Sequence, residues 1–291
     1  MNNILQACLW MIGAIVSFTT MAVAGRAVSL DLDTFEIMMY RSLIGVVVVL
    51  IIAQVSGTRK DIAPTRLGLH WARNIAHFAG QNLWFYAITV IPLAQVFALE
   101  FTSPIWVLLL SPLVLNERLT INRVFAAVIG FVGILIVTRP SAESLSFGQI
   151  AAALAAIGFA GSAVFTRLLT RTEKITNIMF WLTAMQAIMG LVCAGLDGDI
   201  ALPSLASWPW VVLISLAGLI AHFCLTTALG LAPATVVIPI DFTRLPVVAL
   251  VGMALYHEPL DRYVFLGAAL IFAANYTNIW LETRRSTVTK T

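Results

Sequence analysis

Long apolar runs separated by short polar links make up most of this chain. Each run predicts a membrane-spanning helix, because about 20 apolar residues cross a bilayer and a helix satisfies its own backbone groups without water. The predicted spans are 4–24, 36–55, 69–89, 92–115, 122–138, 147–167, 175–195, 209–229, 233–256 and 263–281. The alternating strands of a membrane barrel are absent from this pattern. The fold class predicted is an all-α polytopic membrane protein with ten transmembrane helices.

One apolar stretch occurs twice. Residues 91–117, IPLAQVFALEFTSPIWVLLLSPLVLNE, align without a gap with residues 232–258, APATVVIPIDFTRLPVVALVGMALYHE, at a shift of 141 positions. The matched positions are Pro92 with Pro233, Glu100 with Asp241, Phe101 with Phe242, Thr102 with Thr243, Glu117 with Glu258 and Leu119 with Leu260. An acid followed by Phe-Thr, framed by the same Pro and the same Glu, indicates an internal duplication.

The duplication predicts two domains, residues 1–140 and 141–291, with five spans each. An odd number of spans per copy means that the second copy enters the membrane upside down relative to the first. The chain is therefore expected to be two inverted five-helix repeats, an architecture found in many secondary transporters.

Composition and charge agree with a membrane protein and predict its orientation. The chain is 60% hydrophobic and 11% charged, whereas a soluble domain has about 25% charged residues. The loops 2–3, 4–5 and 6–7 with the span ends that border them, and the C-terminal tail, contain eleven Lys or Arg residues, against three in the opposite loops. Because cytoplasmic loops carry the excess of basic residues, both termini are expected in the cytoplasm and the protein in the cytoplasmic (inner) membrane.

Several classes of site have no sequence support. The three cysteines, Cys8, Cys193 and Cys224, lie in apolar segments, which argues against a disulfide framework. No cluster has metal-ligand spacing, and no nucleophile–base motif is present. We expect no cofactor, no metal, no nucleic-acid partner and no enzymatic activity; an intramembrane enzyme and a channel are the alternatives from other classes.

Charged side chains inside the predicted spans mark the candidate site, since each costs about 2.5–3.5 kcal/mol at the bilayer centre. Glu100 and Asp241 each lie eight residues after their Pro, roughly 12 Å along a helix, and start from opposite faces, so they should meet near the midplane. Aromatic residues on the same helices are candidates to line a cavity. The candidate substrate-binding residues are Arg41, Arg73, His77, Trp84, Tyr86, Phe97, Glu100, His222, Asp241, Phe242 and Arg244.

Purely structural ion pairs are the alternative interpretation of these charges. Asp241 and Arg244 share a helix face at i, i+3, and Glu36 is close in sequence to Arg41. Glu100 has no basic neighbour on its own helix, so its partner must be another helix, with Arg41 or Arg73 as candidates, the cytosol or a ligand.

The run from Phe85 to Pro140 resembles EamA-type members of the drug/metabolite transporter superfamily. The matching features in the first half are Ala87, Pro92, Pro104, Glu117, Leu119, Gly130, Gly133 and Arg139-Pro140, with Ala228, Pro233, Glu258 and Leu260 in the second half; Arg41 resembles an Arg often found in span 2 of this family. The resemblance implies a ten-helix carrier with a central cavity that moves small organic solutes by alternating access.

The residue at position 100 departs from the small or apolar residue usual in that family. Glu100 therefore favours a charged or zwitterionic solute, and an amino-acid-like metabolite is the narrower expectation. A carrier of a flavin, a nucleoside-type vitamin or an S-adenosylmethionine-like solute is the alternative. The expected partners are a small-molecule substrate, membrane lipid and protons as a candidate coupling ion, in a monomer or homodimer.

Overall fold

The structure is a computed structural model. It describes residues 3–117, 120–138, 146–196 and 198–258, together with scattered positions between 262 and 280. About half of the predicted tenth span lies outside the described residues. The boundary expected between the two domains, the basic C-terminal tail and the side chain of Phe242 also lie outside them.

Every secondary-structure element in these ranges is helical. The α-helices are α1 Asn3–Val28, α2 Thr34–Val55, α3 Leu67–Val90, α4 Leu93–Glu100, α5 Ser103–Leu110, α6 Ile121–Thr138, α7 Phe147–Leu169, α8 Ile175–Ala194, α9 Trp208–Leu231, α10 Ala234–Ile240 and α11 Arg244–Tyr256. A π-helical turn, Ser111–Leu115, extends α5, and a 3-10 turn, Asp241–Thr243, joins α10 to α11.

Seven helical segments among the described residues are long and apolar enough to cross a membrane. They are Asn3–Val28, Thr34–Val55, Leu93–Leu115, Phe147–Leu169, Ile175–Ala194, Trp208–Leu231 and Ala234–Tyr256. Helix α3 is as long as these segments, but its polar residues, including Arg73, His77 and Gln81, lower its hydropathy. The chain is therefore an all-helical, multi-pass membrane protein.

The two copies of the repeated stretch, predicted as spans 92–115 and 233–256, are each long enough to cross the membrane, but neither is one continuous α-helix. The first is interrupted after Glu100 and the second at Asp241, the acids that mark the repeat. Proline explains both breaks, because it has no N–H to bond the carbonyl four residues earlier. Pro104 leaves the Glu100 carbonyl without its helical donor, and Pro246 does the same for Phe242.

The helices of the two halves pack against one another in antiparallel pairs: α1 with α9, α2 with α8, and α3 with α7. Glycine allows the closest approaches. A Cβ added to Gly158 of α7 would lie 2.7 Å from the Ala76 carbonyl oxygen and 2.8 Å from the Gly80 Cα of α3. Small residues at such contacts let helix backbones touch in membranes, where no hydrophobic driving force brings helices together.

The helix bounds of the second half follow those of the first at the same 141-residue shift. Helix α3 begins at Leu67 and ends at Val90, and α9 begins at Trp208 and ends at Leu231. The pairing of α1 with α9 likewise corresponds to the pairing of α7 with α3. The bundle thus presents equivalent surfaces from its two halves to the space between them.

Polar contacts connect the segment before α2 to the segment before α9 at one end of the bundle. The hydroxyls of Ser204 and Ser207 both donate to Asp31 Oδ2, at 2.5 Å each. These two hydrogen bonds lower the pKa of the Asp31 carboxyl, because they stabilise its ionised form. Glu36 also takes part: it accepts the Ala201 N–H at 2.5 Å and the Asp33 N–H at 2.9 Å.

Candidate functional site

A cavity of about 80 Å³ lies among α1, α3, α7, α9 and the two broken helices. It is bounded by both halves of the chain and by both helix breaks. Its polar lining consists of Arg73, His77, Gln81, Glu100, Ser103, Ser162, Thr166, His222, Thr226, Asp241 and Arg244. A polar cavity inside an apolar bundle is a functional-site candidate, since buried polar groups in a membrane are expensive.

Arg244 holds the two acids of the repeat together. Its Nη2 donates to Glu100 Oε1 at 2.8 Å and to Asp241 Oδ2 at 2.5 Å. The other Glu100 oxygen, Oε2, accepts the Trp84 indole N–H at 2.7 Å. Glu100 is thus paired with Arg244 from the other repeat, and not with Arg41 or Arg73 as the structural interpretation expected. The helix breaks bring the two acids within reach of one guanidinium group.

Three aromatic rings lie close to the Arg244 guanidinium. Its Cζ lies 4.6 Å from the centre of the Phe97 ring, 5.1 Å from Phe18 and 5.6 Å from Phe101. Such cation–π contacts are strongest where the cation is desolvated, and Arg244 is only 2% exposed. Phe97 therefore supports the arginine that lines the cavity.

Arg73 lines the cavity without a carboxylate partner among the described residues. It is 2% exposed and donates to Thr166 Oγ1 at 3.2 Å and to Asn74 Oδ1 at 3.0 Å. Arg41 lies one layer behind, where it donates to Gln81 Oε1 at 2.7 Å. Two buried guanidinium groups with neutral partners give this wall of the cavity a positive potential.

The proposed pairing of Glu36 with Arg41 is not formed. Glu36 instead completes the capping box of α2 with Asp33, which satisfies backbone N–H groups at the helix start. This location is the physical reason for the difference: a Glu three residues after the N-cap folds back toward the cap, whereas Arg41 points inward to Gln81.

The rings of His77 and His222 contact each other at the cavity wall. Their ring centres are 4.6 Å apart and the rings are almost perpendicular. The Nε2 atom of each is buried without a hydrogen-bond partner in the described structure. Because nearly all buried polar groups in proteins are hydrogen-bonded, two such atoms at one cavity wall indicate a place for a ligand or for water.

The remaining predicted residues are divided between the cavity and the outer surface. Trp84 lines the cavity, whereas Tyr86 is 43% exposed and points away from it. The helix geometry explains the difference, because two residues correspond to about 200° of rotation in a helix with 3.6 residues per turn. The side chain of Phe242 lies outside the described part of the chain.

Sequence reasoning missed the contribution of α7. Phe159, Ser162 and Thr166 line the cavity, and Thr166 holds Arg73. Their spacing of three and four residues places them on one helix face. Two hydroxyl residues on one face of an apolar span were therefore the sequence feature that could have identified α7 as part of the cavity. Ser103 and Thr226 also line the cavity and gave only the weaker signal of single polar residues.

The chain matches the EamA-like transporter family over residues 5–139 and again over residues 146–280. It belongs to the EamA-like transporter family. As an EamA protein, it is a multi-pass membrane transporter with a small-molecule substrate.

Curated relatives of this EamA protein bear two kinds of name. It is 33% identical over 223 residues to a riboflavin transporter of Brucella anthropi, covering 75% of this chain and 78% of the relative. It is 23% identical over 273 residues to an S-adenosylmethionine uptake transporter of Rickettsia bellii, covering 94% and 93%. A riboflavin transporter of Vibrio cholerae is 26% identical over 289 residues, covering 97% and 95%.

A solved crystal structure has the same fold as this EamA protein. The two superpose with a TM-score of 0.75 at 19% sequence identity, over 96% of this chain and 98% of the other.

Proposed function

We propose that this EamA protein is a secondary active transporter that moves its substrate by alternating access around the central cavity. In this proposal it has ten transmembrane helices in two inverted five-helix repeats, residues 1–140 and 141–291, in the cytoplasmic membrane with both termini inside. The two family matches support the duplication, since their bounds differ by the same 141 positions as the repeated residues. The basic loop residues support the orientation.

The observation that carries the proposal is a polar cavity built by both repeats at their helix breaks. Broken helices at the bilayer midplane are where transporters with inverted repeats bind substrate. The cavity of about 80 Å³ has room for a few water molecules, but drug-sized ligands occupy pockets of roughly 300–1,000 Å³. The cavity is therefore smaller than such a ligand, and in the proposed mechanism the two halves separate on one side to admit it.

For the substrate class, we favour a flat nitrogen heterocycle that carries a hydroxylated, ribose-derived group. Riboflavin and S-adenosylmethionine, after which the relatives are named, share this chemistry. An amino-acid-like solute, which the buried charges favoured, has no support in those names. Trp84, Phe159 and Phe18 provide aromatic surface for the ring, and His77 and His222 provide unpaired ring nitrogens.

Two ends of the cavity differ in charge, and this difference supports a role for protons. Arg73 and Arg41 have no carboxylate partner in the described structure, whereas Glu100 and Asp241 share the single cation of Arg244. A proton bound to either acid leaves Arg244 with one ionised partner. The acid pair can thus gain and lose one proton without exposing an unpaired buried cation, as coupling to a proton gradient requires.

Binding to purified protein tests the substrate class. Riboflavin and S-adenosylmethionine are each titrated while the unfolding temperature is recorded, with methionine as the amino-acid comparison. Because a ligand that binds only the folded state raises the unfolding temperature, one of the two heterocycles should raise it in a saturable manner. Riboflavin binding should in addition quench the flavin fluorescence by contact with Trp84.

Two arginine variants link binding to the cavity. Arg73→Met removes the guanidinium group from the cavity wall and should abolish the ligand-induced shift. The matched control, Arg59→Met, removes an exposed arginine in the short 3-10 turn between α2 and α3 and should keep the ligand-induced shift. Stabilisation by methionine alone, or an equal response of both variants, would contradict the proposed substrate class and site.

A further inference from the structure

An ion pair at one end of the bundle joins the two halves of the chain. Arg26, in the last turn of α1, contacts Glu258, just after α11, with 2.6 Å between Nη1 and Oε1. The same arginine donates to the carbonyl oxygens of Ile88 at 2.7 Å and Ile91 at 3.0 Å, at the end of α3. Glu258 also accepts the Leu93 N–H, at 3.2 Å from each carboxylate oxygen. The ion pair and these hydrogen bonds thus attach the link between α3 and α4 to the end of α11.

A second cluster repeats this arrangement with the halves exchanged. Arg167, near the end of α7, contacts Glu117, with 3.5 Å between Nε and Oε1. It also donates to the Leu229 carbonyl at 2.5 Å and to the Gly230 carbonyl at 3.3 Å, at the end of α9. Arg171 is a second, more distant cation, 3.8 Å from the same Glu117 oxygen.

The residues of the two clusters correspond through the repeat. Arg26 shifted by 141 positions is Arg167, Ile88 shifted is Leu229, and Glu117 shifted is Glu258. In each cluster the arginine holds its own half through a carbonyl oxygen and the other half through a carboxylate. The correspondence includes side chain–backbone contacts, so it extends beyond the sequence match.

The clusters lie at opposite ends of the bundle. Helices α3 and α7 are antiparallel, because Gly148 at the start of α7 approaches Val90 at the end of α3. The Arg26 cluster is at that end of the bundle, since it holds the end of α3. Arg167 is at the other end of α7, and the cavity residue Thr166 directly precedes it.

We propose that the ion pairs Arg26–Glu258 and Arg167–Glu117 are the two gates of the transport cycle. This inference rests on the alternating-access function proposed above. Release of one pair frees the halves to separate at that end while the other pair keeps them together at the opposite end. Both pairs are formed here, which agrees with a cavity too small for a metabolite.

The two gates differ in strength. The Arg26–Glu258 contact is shorter, and Glu258 accepts an additional backbone N–H from Leu93. Glu117 holds its arginine at 3.5 Å, and its Oε2 atom is buried without a hydrogen-bond partner in the described residues. A contact that leaves a buried carboxylate oxygen without a hydrogen bond is the easier one to open, so the Glu117 gate is expected to open first.

Cysteine accessibility tests the gates without any substrate. Ser103, in the cavity lining, is replaced by cysteine in a chain whose three native cysteines are changed to alanine. A membrane-impermeant maleimide is then applied to right-side-out and to inside-out membrane vesicles. Glu258→Gln should raise the labelling rate from one side about tenfold, the factor that corresponds to about 1.4 kcal/mol. Glu117→Gln should raise it severalfold from the opposite side.

A matched control comes from a peripheral ion pair that also joins the two halves. Lys174 contacts Asp61 at 2.8 Å, but the lysine side chain is largely exposed, and such pairs contribute little to stability. Asp61→Asn should therefore leave labelling from both sides unchanged. Where a Glu variant does not fold, Arg26→Lys and Arg167→Lys replace it. Both keep the charge but lose the forked contacts to the carbonyl oxygens, so each should open its own end.

Two results would overturn the gate assignment: increased labelling from the same side in both Glu variants, or unchanged labelling in folded variants of both pairs. The result is independent of the substrate proposal. Side-specific labelling without any heterocycle binding would refute the substrate class and leave the gates in place. Heterocycle binding with unchanged labelling would do the reverse.

Discussion

Removal of the Arg244 guanidinium is the most informative change to the buried charge network. In Arg244→Gln, Glu100 and Asp241 lose the cation that they share. The Arg244 side chain is 2% exposed, and those of the two acids are 11% and 16% exposed, so solvent screens these charges little. Loss of one partner from a buried ion pair costs about 3–5 kcal/mol. At about 2 °C per kcal/mol for a chain of this size, the unfolding temperature should fall by roughly 6–10 °C.

Two further variants show whether the stability lost in Arg244→Gln comes from the unpaired carboxylates or from any substitution at this site. Asp241→Asn leaves Arg244 paired with Glu100, so it removes one charge-assisted hydrogen bond, about 1.5 kcal/mol, and should lower the unfolding temperature by roughly 3 °C. The triple variant, Arg244→Gln with Asp241→Asn and Glu100→Gln, has no unpaired buried charge. It should recover much of the stability that the single Arg244→Gln variant loses, because the penalty comes from the uncompensated carboxylates.

Scanning fluorimetry of the detergent-solubilised variants provides the measurement. The reasoning fails if Arg244→Gln unfolds within about 2 °C of the wild type, a difference of roughly 1 kcal/mol. It fails equally if the triple variant is less stable than Arg244→Gln by the sum of the other two substitutions, because the three groups would then act independently.

Three other changes follow from the structure. Gly158→Ala should lower the unfolding temperature, since overpacking against the backbone of α3 costs about 1–3 kcal/mol; Gly68→Ala, with no atom within 4 Å of its added Cβ, should not. Asp31→Asn should be less stable than the wild type at neutral pH. This difference should disappear as the pH falls through the lowered pKa of Asp31, because an ionised carboxyl with a depressed pKa stabilises the fold only above that pKa. Glu100→Gln should abolish proton-driven accumulation in reconstituted vesicles but keep substrate exchange; wild-type accumulation would exclude a proton role for Glu100.

The sequence was sufficient to predict most of the helices, because spans in a membrane are long apolar runs with few alternatives. The predicted bounds of the first span, 4–24, became Asn3–Val28, and those of the eighth, 209–229, became Trp208–Leu231. The first helix gains the turn that contains Arg26, and the eighth gains only Trp208, Gly230 and Leu231. Hydropathy does not mark such helix ends, because short runs of mixed composition continue the helix.

The helix breaks were not predicted, although their cause is visible in the sequence. Pro104 and Pro246 follow the two acids at similar distances, but proline is tolerated in transmembrane helices, where neighbouring groups satisfy the freed carbonyls. Proline alone therefore does not distinguish a kink from a break. The repeated Glu/Asp-Phe-Thr sequence indicated where along the chain the candidate site lies. The cavity itself forms only when the two halves pack together, which the sequence does not describe.

The partners of the buried charges could be predicted only within one helix. The i, i+3 spacing identified Asp241 for Arg244, and the structure retains that contact. The second partner, Glu100, is 144 residues away in sequence. The sequence pattern does not say how either helix is rotated about its axis, so it could not predict that these two side chains meet. The same limit explains Tyr86: on α3, which is polar on one side and in contact with several helices, two neighbouring aromatic residues point in different directions.

Counterflow in reconstituted vesicles tests the transport mechanism most directly. Vesicles that contain the purified protein are loaded with unlabelled heterocycle, the one that stabilises the protein, and then diluted into a trace of the labelled compound. Alternating access predicts a transient accumulation of label inside the vesicles above the external concentration. Each time the carrier releases unlabelled substrate outside, its binding site faces outward and can carry a labelled molecule in. Uptake that rises linearly with concentration, without saturation and without this overshoot, would instead indicate a channel and would contradict a carrier with gates at both ends of one cavity.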